Sequence, residues 1–201
     1  SEYKNDLTKS NFINGDPINL GKEKKFFIHT PSNWSKKSFL AAGFRDDQII
    51  VVPHGVDLDT FNLISDDKKK KVRDKYKINS EDFILTNIGA MTQNKGVEDL
   101  IAAYGILKKK NKNLKLILKD QSNLYDRNAN SPIKNMQGSK FNQKYQIFNE
   151  QMYNDIIIIS KNLNFNELRN IYSITDCYVS PYKAEGFNLT PLEAAACGTQ
   201  I

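Results

Sequence analysis

The residues best suited to chemistry lie between Asp176 and Ile201, in the run DCYVSPYKAEGFNLTPLEAAACGTQI. Two carboxylates, Glu185 and Glu193, bracket a loop there with seven residues between them. An ionised carboxylate only accepts hydrogen bonds, and it can take two donors at once. A third charged candidate is Lys95, a point charge at a helix start, reached through Gly89, where the backbone can turn close to a ligand. Each residue also admits a plain role. Glu193 can be the reciprocal partner of a capping box, Glu185 a solvated loop carboxylate, and Lys95 a surface lysine. The plain role sits badly at Lys95, because a helix N-terminus does not favour a cation.

The elements that must position these groups are readable. Cys177 to Ser180 forms a short apolar strand, Pro181 and Gly186 lie in a loop, and a helix opens near Thr190. Thr190 is placed to cap it, Pro191 suits the first helical position, and Glu193 falls three residues after the cap. Ala194, Ala195 and Ala196 favour helix, and Gly198 is placed to end it. Phe83 to Ile88 is a strand ending at Gly89; Val97, Leu100, Ile101, Tyr104 and Leu107 then recur at helical spacing. Leu114 to Leu118 is another strand. From Asp120 to Asp155 the chain is polar, with Phe141, Tyr145 and Phe148 lining a short helix. Ile156 to Ile159 reads as a fully buried strand, followed by an amphipathic helix through Phe165, Leu168, Ile171 and Tyr172.

Strand, helix, strand, helix with short connections predicts an α/β fold, a Rossmann-like parallel sheet with helices on both faces. Ligands of such sheets sit beyond the carboxyl ends of the strands, and a strand feeding a helix N-terminus is a common phosphate cradle. Upstream, residues 1–23 are polar and without periodicity. Lys25 to His29 is a strand candidate, Trp34 to Ala42 a helix ended by Gly43, and Ile49 to Val52 a strand stopped by Pro53.

Glu185-Gly186-Phe187-Asn188-Leu189-Thr190-Pro191-Leu192-Glu193-Ala194 resembles the E-x7-E signature of retaining glycosyltransferases with the GT-B fold, family 4 in particular. Val52-Pro53-His54-Gly55-Val56-Asp57 resembles the junction between that family's two domains, with His54 where Asn is commonest. The helix in SNWSKKSFLAAGF is similar to the one before the junction, so the resemblance runs from about Trp34 to Ile201. It implies residues 1–55 as the end of an acceptor-side domain and 56–201 as an incomplete nucleotide-sugar domain. It also implies a fragment, silent in catalysis on its own.

By that resemblance Lys95, after Gly89, neutralises the donor diphosphate, Glu185 holds hydroxyls of the transferred sugar, and Glu193 accepts from the ribose. Backbone N–H groups of Phe187, Asn188 and Leu189, next to Gly186, would face sugar and phosphate, with the Thr190 hydroxyl beside them. Ser160, Lys161 and Leu163 are the candidates for the nucleotide base. Two departures stand out: Ala90 replaces the Arg of the family's G-R-L-x-x-x-K-G pattern, and Asn188 replaces a Gly. The implied reaction moves a hexose from a UDP-, GDP- or ADP-linked donor to an unidentified hydroxyl acceptor, with no cofactor and no metal.

Composition leaves room for other classes. The 201 residues carry a formal charge of +6 and a pI of about 9.1. Such an excess suits nucleotide phosphates, an anionic membrane surface or nucleic acid, or is merely solvated surface. The run DDKKKKVRDKYK reads as a solvent-facing helix with a thin apolar edge, Val72 and Tyr76, and nucleic acid is not expected as a partner. Cys177 and Cys197 have neither metal-ligand spacing nor a disulfide framework. With no secretory leader and no apolar run of membrane length, the chain reads as cytoplasmic, peripheral membrane contact being left open. A non-catalytic GT-B-like nucleotide-binding module and a basic interaction domain stand as the alternatives.

Overall fold

A computed structural model describes residues 26–125 and 127–201. The chain divides into two compact units, Ser1–Gly55 and Val56–Ile201. In the first, β1 (Ile28–Thr30) and β2 (Ile49–Val51) pair in parallel, Ile28 opposite Ile49, and are joined through α1 (Asn33–Ala41). Ser32 caps α1, its hydroxyl accepting from the Ser35 N–H at 3.1 Å, and Gly43 takes the left-handed turn after it at φ 100°. The strand expected over Lys25 to His29 starts later. Its partner begins at Ile49, so Phe26 and Phe27 precede the paired register and stay exposed, while Thr30 is drawn in. Lys25 and the stretch 1–23 lie outside the described residues.

The second unit carries α2 (Asp66–Lys75), β3 (Phe83–Ile88), α3 (Val97–Lys108) and β4 (Leu114–Lys119). Then come α4 (Ser122–Tyr125), α5 (Asn130–Gln137), α6 (Lys140–Tyr145), α7 (Glu150–Asn154), β5 (Ile156–Ile159), α8 (Phe165–Ser173), β6 (Cys177–Tyr178) and α9 (Leu189–Ala196). The sheet order is β5-β4-β3-β6, every pairing parallel. Side chains alternate between its faces. Leu85, Leu116 and Leu118 join Leu100, Ile101 and Tyr104 of α3 on one side; Ile84, Ile88, Ile117 and Ile159 join Ile171 and Tyr172 of α8 and Ala194 of α9 on the other. Ile84, Leu116 and Ile117 are 0 % exposed, and burying each contributes roughly 1.5–3 kcal/mol. This is the expected Rossmann-like parallel sheet with helices on both faces.

Several local expectations shift. Ile157 and Ile158 are half-buried, because β5 is the edge strand and only part of it is covered. In α3 Leu107 is exposed and Lys108 is buried, its ammonium 2.7 Å from Asp155. The polar stretch after Asp120 folds into four short helices; Phe148 lies beyond α6 and packs on the first core. Strand β6 ends at Tyr178 instead of Ser180. Helix α9 starts at Leu189, ahead of the expected cap at Thr190. Asn188 takes the capping position at φ 71°, a left-handed conformation that Asn tolerates. The Thr190 hydroxyl is used sideways, 2.7 Å from the Tyr178 hydroxyl and 3.1 Å from Asn188 Oδ1. Glu193 consequently closes no capping box.

Candidate functional site

The loops after β3 and β6 meet at the carboxyl edge of the sheet. Gly96 permits this at φ 63°: a Cβ there would stand 2.2 Å from the Pro181 carbonyl oxygen. Gly89 does the same for Tyr182, whose hydroxyl would lie 2.8 Å from an added Cβ and donates to the Ile88 carbonyl at 3.0 Å. The Lys183 N–H donates to the Asn94 carbonyl at 2.8 Å, a backbone link between the loops. Two residues predicted from sequence are thereby brought into contact. The Lys95 ammonium donates to Glu185 Oε2 and lies 3.9 Å from the centre of the Tyr182 ring. Tyr182 is a participant that sequence reasoning missed; an aromatic residue in a loop carries no spacing signal.

Glu193 lies on the first turns of α9, half-buried, accepting from the Tyr172 hydroxyl at 2.7 Å. Burial pushes its carboxyl above the usual range, and the Tyr172 bond only partly offsets this. Gly186, Phe187, Asn188, Leu189 and Thr190 form the connection into α9, where the first N–H groups of any helix lack intrahelical acceptors. Asn188 is pinned by its amide donating to Ser180 Oγ at 2.6 Å.

The candidates after β5 separate. The Ser160 hydroxyl donates to Asp120 Oδ2 at 2.7 Å, at the end of the neighbouring strand. Lys161 points outward and pairs with Glu167 at 3.0 Å, and Leu163 packs against the second core. Asp120 was not singled out from sequence, yet it is 0 % exposed and also accepts from the N–H groups of Ala129 and Ser122, at 3.0 and 3.2 Å. Burial opposes its charge, but the Ser160 hydroxyl and these backbone donors outweigh it and hold its carboxyl below the usual range. Asp120 ties the loops after β4 and β5 together.

A cleft of about 570 Å³ opens beside the first loop, lined among others by Gln93, Gly96, Arg127, Asn135 and Lys183. Its polar groups largely satisfy one another: Lys183 pairs with Asp99 at 3.1 Å, and Asn135 donates to Glu98 at 2.7 Å. Among the described residues no group of three His, Cys, Asp or Glu side chains could hold a metal ion, and no helix is long and apolar enough to cross a membrane.

Lys95, on the loop after β3, and Glu185, on the loop after the neighbouring β6, thus pair beyond the carboxyl edge of the parallel sheet. The family profile for glycosyl transferases group 1 matches residues 68–201. The chain belongs to that family. The family match begins downstream of the resemblance expected from Trp34, and covers the whole strand-and-helix unit from within α2 onward. Among curated relatives, the D-inositol 3-phosphate glycosyltransferase of Pseudarthrobacter chlorophenolicus is 27% identical over 156 residues, 77% of this chain and 33% of that protein. An uncharacterized glycosyltransferase of Methanocaldococcus jannaschii is 28% identical over 100% of this chain and 46% of its own length. The chain thus spans between a third and a half of these relatives. Anabaena HepE, solved in complex with UDP-glucose, shares the fold with a TM-score of 0.70 at 18% identity, over 90% of this chain and 45% of that one. The group 1 chain has the α/β architecture of the GT-B glycosyltransferases.

Proposed function

We propose that this chain is the donor-binding portion of a retaining glycosyltransferase of the family 4 type, moving a hexose from a nucleoside diphosphate sugar to a hydroxyl acceptor. One observation carries the reading: Lys95 converges with the sequence-distant Tyr182 and Glu185 where Gly89 and Gly96 let two loops touch beyond the carboxyl ends of β3 and β6. Lys95 faces the diphosphate, Glu185 the hydroxyls of the sugar, and Glu193 the ribose. Ser160, Lys161 and Leu163 flank the base, with Lys161 turned outward and Ser160 held by Asp120. In the reaction the bond from the anomeric carbon to the diphosphate oxygen breaks. The acceptor oxygen bonds to that carbon on the same face, and its proton leaves with the diphosphate. Charge builds on the departing diphosphate, and a preplaced cation and helix start stabilise it without a metal. Binding exchanges the Lys95–Glu185 contact for one bond from Lys95 to phosphate and one from sugar to Glu185. A UDP-linked donor is favoured among the nucleotides, because the structurally similar Anabaena protein was solved with UDP-glucose.

The test is a binding panel on the 201-residue chain, with UDP, GDP, ADP and their hexose conjugates followed by ligand-observed NMR. Charge-assisted hydrogen bonds are worth roughly 1.5–3 kcal/mol, so Lys95→Ala and Glu193→Ala should each weaken the preferred ligand about 10- to 150-fold. A folded chain that binds none of these ligands would sink the proposal.

A further inference from the structure

Lys119 closes β4 in an environment that the fold alone does not explain. It is 6 % exposed, and its ammonium donates only to the adjacent Asp120 carbonyl. An ammonium carries three donors, so two find no protein acceptor among the described residues. Nor, among the described residues, does any carboxylate lie within ion-pair distance: that of Asp120 is committed to Ser160, Ala129 and Ser122. A buried charge without a counter-ion is costly, and the buried lysines at the other end of this unit are not left so. Lys108 and Lys115 both reach Asp155, at 2.7 and 2.6 Å. Burial pulls the Lys119 ammonium below its ordinary range, the nearby Asp120 charge only partly offsetting it.

Its location is as informative as its isolation. Lys119 is in register with Ile88 on β3 and Ile159 on β5, and its carbonyl accepts from the Gly89 N–H at 3.1 Å. In parallel strands register partners share a face, so Lys119 leaves the sheet on the side of Ile88 and Ile159, the side covered by α8 and α9. Glu193 is carried by α9. The strand order β5-β4-β3-β6 then decides what passes over it. A ligand with its base at the loop after β5 and its diphosphate at the loop after β3 must cross the end of β4.

We propose that Lys119 is a second cation for the donor's phosphates, beside Lys95. This rests on the donor-site reading above. Ala90 is buried beside Gly89, and the loop after β3 therefore offers Lys95 alone. Lys119 reaches the same anion from the neighbouring strand on a flexible four-carbon stem, exchanging the Asp120 carbonyl for phosphate oxygen.

The test compares Lys119→Met and Lys119→Gln with the natural chain, against UDP, UMP and uridine by calorimetry or NMR, with thermal unfolding alongside. Removing the cation should weaken UDP about 10-fold or more while leaving uridine within about twofold, UMP falling between. Lys119→Met should also melt higher, since it relieves an uncompensated buried charge. Either variant keeping full UDP affinity would overturn the proposal, as would equal losses for UDP and uridine, which mark a structural role. If the natural chain bound no nucleoside diphosphate at all, the donor-site reading itself would fall, a distinguishable result.

Discussion

At the amino end of the sheet Lys108 and Lys115 share one carboxylate, Asp155, and Lys108 also caps the carbonyls of Lys112 and Leu114. At the carboxyl end Lys119 has a single backbone carbonyl, and Lys95 reaches across 90 positions of sequence to a carboxylate on a loop. Lys115 and Lys119 even share one strand, β4, and the residue type is the same throughout. The amino end neutralises its lysines within the fold, so their charges stabilise packing and have nothing to offer a ligand. The carboxyl end keeps its lysines incompletely paired or exchangeably paired. Elements packed for permanence and elements kept ready for an anion can thus be told apart by asking where each ammonium finds its counter-charge.

The largest effect expected from this contrast is at Asp155. Replacing it by Ala removes the close carboxylate of two ammonium groups, leaving Lys115 with Asp82 at 3.8 Å and Lys108 with backbone carbonyls alone, and removing one partner of a buried pair costs about 3–5 kcal/mol. Urea or thermal unfolding reads that loss, while nucleotide affinity of the folded fraction should stay unchanged. A loss under about 1 kcal/mol would put the amino-end pairs in the class of ordinary surface contacts and erase the contrast. The opposite pattern is expected of Lys95→Ala, a stability change below about 1 kcal/mol, because its Glu185 partner sits on a solvent-facing loop. Its cost should appear in ligand affinity alone.

A smaller effect separates the ends by pH. Burial raises the cost of ionising Asp155, but bonds from Lys108 and Lys115 outweigh it and lower its carboxyl below the usual range. Its stabilisation is therefore present at neutral pH and lost as pH falls through the folded value. Glu193 has the reverse sign. Its raised folded value means that the folded state binds the proton more tightly, so stability declines as pH rises through the window between the unfolded and folded values. Glu193→Gln should accordingly melt slightly higher than the natural chain at pH 7 and no higher near pH 4, while losing nucleotide affinity. A melting gain that is the same at both values would show that ionisation of Glu193 carries no cost.

Much of this was legible beforehand, for physical reasons. Strand Phe83–Ile88 and the helix from Val97 carry strong apolar patterning, and they were readable because burial dictates most of the apolar side chains in them. Glu185, Glu193 and Lys95 were legible as candidates through spacing and neighbours. What escaped depended on contacts distant in sequence. Thr190 looked like a cap until the Tyr178 hydroxyl claimed it, and the real cap, Asn188, works through a backbone conformation. Lys119, just past the strand expected over Leu114 to Leu118, was not singled out, because nothing local states that the residues around it lack a spare carboxylate. Of the helices after Asp120 only the one through Phe141 and Tyr145 was legible, because the short apolar edges of the others, such as Ile133 and Met136, gain meaning only against α3.

The pairing of β3 with β6 has a consequence in time. Its closing hydrogen bond, Asp176 to the Ile84 N–H at 2.7 Å, links positions 92 apart. Contacts of such separation require a large loop to close before they return any energy, and they form slowly. The loop carrying Glu185 cannot reach Lys95 until that strand docks. During synthesis, the first half of the ligand cradle is finished long before the second has been made. Nucleotide capture therefore reports completion of the sheet, and a bound nucleotide stabilises this last-closing edge by mass action.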